Sequence, residues 1–135
     1  MTDPISNLRQ GIIDYLQYDF KVYDTIIDPA VKLPAFVITS ITATPEDTKG
    51  GCYEGWSCDV ALSVYNDAAT RGGNLTTDAL AESVLAMVED SNFLLSNFKC
   101  LAIDLNNTST SGVNLFNRIL YRRDFNITFK IVENG

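Results

Sequence analysis

Between Leu115 and Val132 the chain alternates. Ile119, Tyr121, Phe125, Ile127, Phe129 and Ile131 share one parity, and only Arg123 interrupts the row. A period of two does not fit a helix, whose faces repeat every 3.6 residues, so this stretch is a strand with one buried face. It is longer than a common strand of about five or six residues, so part of it projects or pairs with something else. Arg123 calls for a bulge near Arg122–Arg123 or for an interface that pairs the charge. A second alternation sets Trp56, Cys58, Val60, Leu62 and Val64 against Ser57, Asp59 and Ser63, the pattern of a half-buried antiparallel strand.

Two amphipathic segments can cover such a sheet. Asp3 followed by Pro4 is a helix start, and Ile5, Leu8, Ile12 and Leu16 form one apolar face of a helix ending near Tyr18. After Gly72-Gly73-Asn74, Thr76 or Thr77 caps a second helix that carries Leu80, Val84, Met87 and Val88 and stops around Asp90 to Asn92. Lys21-Val22-Tyr23 reads as a short strand, Ala35 to Ile41 as a proline-led strand, and Phe98 to Leu105 as another. Long polar loops are expected at Thr42 to Gly55 and at Asn106 to Asn114. The order of helix, three strands, helix and two strands predicts an α+β fold: an antiparallel sheet of about four to five strands with both helices on one face. The inward residues are then Ile5, Leu8, Ile12, Leu16, Val60, Leu62, Leu80, Val84, Val88, Ile127 and Phe129.

The chain has 135 residues, a length expected to form a single domain spanning 1–135, and it is 46% hydrophobic and 20% charged, an ordinary globular composition. Its net charge of −7 disfavours nonspecific attraction to nucleic acid or anionic membrane. No apolar run approaches the roughly 20 residues of a membrane helix, and no signal-peptide pattern opens the sequence. Cys52, Cys58 and Cys100 lack metal-ligand spacing and are read as buried thiols, and sequons at Asn74, Asn106, Asn107 and Asn126 as chance matches. With no histidine there is no Ser-His or Cys-His dyad and no usual zinc site. Gly50-Gly51 and Gly72-Gly73 do not continue into a phosphate-binding motif, and Glu46-Asp47, Glu82, Glu89 and Asp90 are read as solvated positions. The expectation is a protein without catalysis, cofactor or metal.

The order of parts resembles the tail-completion or tail-terminator family of tailed bacteriophages. An amphipathic helix leads to Val22-Tyr23-Asp24, then to the proline-led Leu33-Pro34-Ala35-Phe36-Val37-Ile38. Thr44-Pro45-Glu46-Asp47-Thr48-Lys49 follows, then the strand from Trp56 to Tyr65, a capped helix, and two strands with a basic pair before the last apolar run. The resemblance spans about Ile5 to Glu133. It implies a homo-oligomeric ring, usually a hexamer, that caps the tail tube, ends its polymerisation and joins it to the head. The implied partners are further copies, the tube protein and a head-completion or neck protein. DNA passes through an acidic lumen without specific binding, no membrane is involved, and the protein is placed in the virion tail or neck after assembly in the host cytoplasm. Alternatives are a tube or head-completion subunit, or a monomeric ligand-binding module. Contacts are expected from the Thr42–Gly55 loop and the basic pair, that is from Glu46, Asp47, Lys49, Tyr53, Trp56, Arg122 and Arg123. Arg122 and Arg123 face opposite sides of their strand, so they do not form one clamp.

Overall fold

A computed structural model describes residues 3–16, 22–23, 35–46, 55–67, 73–90, 93, 95–115 and 118–133. The elements follow in the expected order: α1 (Pro4–Leu16), β1 (Val22–Tyr23), β2 (Ala35–Glu46), β3 (Gly55–Asp67), α2 (Gly73–Glu89), β4 (Phe98–Leu115) and β5 (Arg118–Glu133). The fold is α+β, with one sheet in the order β1-β2-β3-β5-β4. Its four long strands are antiparallel, and the two-residue β1 adds parallel to β2 at one edge.

Helix α1 starts as its sequence dictates. Asp3 Oδ1 accepts from the Ile5 amide at 3.0 Å and the Asp3 carbonyl from the Asn7 amide at 3.3 Å, while Pro4 has no N–H to satisfy. Leu8, Ile12 and Leu16 are fully buried, and each such burial contributes roughly 1.5–3 kcal/mol. Ile5, a turn earlier, is half-buried. Helix α2 opens at Gly73, ahead of the expected Thr76 or Thr77 cap. Glycine and asparagine are themselves tolerated at helix starts, so Gly73-Asn74 open the helix rather than leave a gap before it. Leu80, Val84 and Met87 are buried, and Val88 is half-buried against the same core.

That core lies between the helices and one sheet face. Cys58, Val60, Leu62 and Val64 of β3 and Phe125, Ile127, Phe129 and Ile131 of β5 join α1 and α2 in one cluster. Cross-strand pairs such as Val60 with Ile127 and Leu62 with Phe125 put both alternations on the same face.

Where they are described, both expected loop segments are strand. Strand β2 continues to Glu46, which pairs with Gly55, so Thr42 to Glu46 are strand. The register shifts between Ile38 and Ser40, so Phe36 and Ile38 face the core before the shift and Ile41 and Ala43 after it. That change of parity hides the alternation in the sequence. Asn106 to Asn114 likewise belong to β4, paired with β5 from Asn107–Asn126 to Leu115–Arg118. Residues 106–112 are exposed, so no apolar row marks them as strand, and their conformation comes from pairing with β5. Leu115 therefore ends β4, and β5 begins at Arg118. No bulge accompanies Arg123, because β5 pairs with β3 without interruption from Val132–Gly55 to Leu120–Asp67.

Candidate functional site

The sheet face away from the helices presents the polar parity of β3 and β5. Asp59 pairs with Thr128, Ala61 with Asn126 and Ser63 with Asp124. Side chains on this face bond across three strands. Thr128 Oγ1 donates to Asp59 Oδ1 at 2.8 Å and accepts from Asn106 Nδ2 at 2.7 Å. Asn126 Nδ2 donates to Asn107 Oδ1 at 2.8 Å. The register shift in β4 between Leu105 and Asn107 lets both consecutive asparagines reach the same sheet face. Ser40, Thr42, Asp59, Asn106, Asn107 and Asn126 line a shallow depression here.

Further along this face Ser63 Oγ donates to Asp124 Oδ1 at 2.6 Å, and Arg122 Nε lies 3.1 Å from Asp124 Oδ2. The arginine contact is an ion pair off the hydrogen-bond axis, leaving that shielded Nε without an aligned acceptor. Arg123 points to the other face, where its guanidinium lies 5.3 Å from the Phe125 ring centroid and its Nε donates to Thr108 Oγ1 at 3.2 Å. The row-breaking charge thus has partners within its own chain.

Of the other expected contact residues, Glu46 is exposed at the end of β2, and Trp56 is half-buried opposite Pro45 and Ile131, its shielded indole Nε1 unbonded. Asp47, Lys49 and Tyr53 lie outside the described residues. The described members of the expected set do not form one patch. Trp56 pairs with Ile131 while Val64 pairs with Arg123, and those eight β3 residues separate the two groups by roughly 26 Å. Sequence reading did not single out the Asp59–Thr128–Asn106 and Ser63–Asp124 contacts. Their signal was the polar parity of β5, from Arg122 through Asp124, Asn126 and Thr128 to Lys130.

Chemically this face offers amides, hydroxyls and mostly bonded charges. Cys52 lies outside the described residues, and the two described thiols are poor nucleophiles: burial, with lesser contributions from the Asp59, Cys100 and Glu46 charges, pushes Cys58 up to about 11. Burial raises Cys100 as well, against a partly offsetting bond to the Ala102 carbonyl. Among the described residues no group of three or more His, Cys, Asp or Glu side chains is placed to hold a metal ion. No helix is long and apolar enough to cross a membrane.

A sheet covered by helices on one face and carrying a bonded polar surface on the other defines an α+β protein, with a single sheet and two helices among the described residues. The family model "Tail completion protein gp17" matches residues 14–114, and the chain belongs to that family. It is a non-enzymatic tail completion protein, in agreement with the resemblance read from the order of its parts. Its fold is similar to a chain from the virion of a native gene transfer agent particle, with a TM-score of 0.65 and 16% identity over 96% of this chain and 94% of that one. No curated protein matches the chain.

Proposed function

We propose that the protein assembles into a closed ring of copies, usually six in its family, that caps the tail tube, ends tube growth and joins the tail to the head. The observation that carries this reading is the family match over residues 14–114, most of a chain whose fold is similar along nearly its whole length to a virion component. The physical chemistry is compatible with it. A domain of this size has a radius of gyration of roughly 14 Å, too small to enclose duplex DNA alone but sufficient as one segment of a ring. A net charge of −7 per copy gives a ring a negative overall field, which disfavours adhesion of the DNA that passes through it. The partners are further copies, the tube protein and a neck protein. Glu46, Asp47, Lys49, Tyr53 and Trp56 serve one contact and Arg122 and Arg123 another, since the described members of the two groups lie far apart on the sheet.

The test is to assemble particles without the protein and image them. A cap predicts tails of irregular, excessive length that fail to join heads. Absence of tails would identify a tube subunit, and unjoined tails of normal length a head-completion subunit.

A further inference from the structure

We propose that neighbouring copies join edge to edge, with β4 at Ser109–Thr110 pairing with β1 of the next copy, a contact that rests on the ring reading above. Among the described residues no strand lies beyond β1 on one side of the sheet or β4 on the other. Among the described residues, both edges therefore present backbone donors and acceptors without a strand partner.

The β4 edge is long and poorly guarded. Its residues in or against the core, Phe98, Cys100, Ile103 and Leu105, all precede Asn106, and from Asn106 to Gly112 every residue is exposed. Edge strands are normally kept short, charged, bulged or proline-bearing to prevent pairing with another chain. Asn107-Thr108-Ser109-Thr110-Ser111-Gly112 has no charge and no proline, and both register shifts of β4 come before it. This stretch covers no core and is held extended by β5 on its inner side, so its outer side is open to a second strand.

The height of the other edge matches. Val22 pairs with Phe36, Phe36 with Val64, Val64 with Arg123, and Arg123 with Thr110, one transverse row across all five strands. The next row runs through Tyr23, Val37, Ser63, Asp124 and Ser109. β1 thus lies level with the middle of the unguarded stretch. Direction matches too: β1 is parallel to β2, and the four long strands alternate, so β1 and β4 run oppositely.

A copy rotated about an axis along the strands therefore brings its β1 antiparallel to β4 without axial displacement. Such a heterologous contact generates a closed ring when the rotation divides a full turn, whereas an axial offset would generate a filament. Sheet twist of roughly 20–25° per strand accumulates over the four steps from β1 to β4, so the neighbouring copy must also tilt to align the two edges, and the match is confined to a few residues, which suits a β1 of two.

The experiment compares the native protein, Ser109→Pro, and Val22→Cys/Thr110→Cys with each single-cysteine control, by native mass spectrometry and non-reducing electrophoresis after mild oxidation. The expected result is native rings, a covalent ladder up to the ring's copy number only in the double-cysteine protein, and a folded Ser109→Pro variant that stays monomeric. If Ser109→Pro fails to fold, the ladder alone decides, since it does not depend on that variant. Native rings without a ladder would overturn the edge contact and leave the ring intact. A native protein that stays monomeric, alone and with tail tubes, would overturn the ring and the edge contact with it.

Discussion

Tyr15 Oη donates a 2.9 Å hydrogen bond to Asp90 Oδ2, linking the last turn of α1 to the residue that follows α2, 75 positions away in sequence. The Tyr15 ring centroid lies 6.0 Å from that of Phe93, which in turn lies 5.5 Å from Phe129 of β5. One residue thus ties both helices to the sheet. Tyr15→Phe keeps the ring and removes the bond to a carboxylate, and should cost about 1.5–3 kcal/mol. Urea unfolding at neutral pH measures this, and an unchanged midpoint would show that water replaces the bond without loss.

Leu62 and Val84 are about fully buried on opposite sides of the sheet–helix boundary. Leu62→Ala should lower stability by about 2–5 kcal/mol, because the neighbouring side chains close only part of the cavity. Aspartate at either position buries an unpaired charge and should abolish soluble expression. Normal thermal stability in Leu62→Asp or Val84→Asp would sink the core assignment.

The raised Cys58 pKa has a pH consequence. The folded thiol keeps its proton up to about 11, whereas the unfolded thiol releases it near 9.0. Stability from this group is therefore complete below pH 9 and is lost as pH rises towards 11, by about 2–3 kcal/mol in all. Cys58→Ala should remove that part of the alkaline loss, and parallel stability curves for the two proteins between pH 8 and 11 would contradict the assignment. At pH 8 the native thiol should react with a disulfide reagent far more slowly than after denaturation.

Arg123 rests on Phe125 and bonds Thr108, so Arg123→Glu should cost only about 1 kcal/mol and leave the protein folded. If Arg123 also serves a neighbouring subunit, the same variant blocks ring closure or joining of tail to head. A folded variant that assembles into infectious particles at the normal rate would place the interface elsewhere.

Wherever side chains alternate between water and core, local pattern alone determined the structure. The even row of β3, the odd row of β5 and the Leu8–Ile12–Leu16 face of α1 were legible because burial imposes a period of 2 or 3.6 on the residues it selects. The Asp3–Pro4 start was legible for a similar reason, since capping is local chemistry. Strand character at Asn106–Leu115 was not, because most of that segment covers no core and takes its conformation from hydrogen bonds to β5. The register shifts in β2 and β4 were equally hidden: each exchanges the inward and outward parities partway along a strand, and only pairing with a neighbour reveals where. The polar contacts Thr128–Asp59 and Ser63–Asp124 join residues more than sixty positions apart, so the polar parity of β5 marks their face while only the tertiary structure supplies the partners. What the sequence determined by itself was which faces are apolar; which strands meet, at what height and in which direction, only the tertiary structure decided, because backbone pairing is indifferent to side-chain identity until the faces are packed.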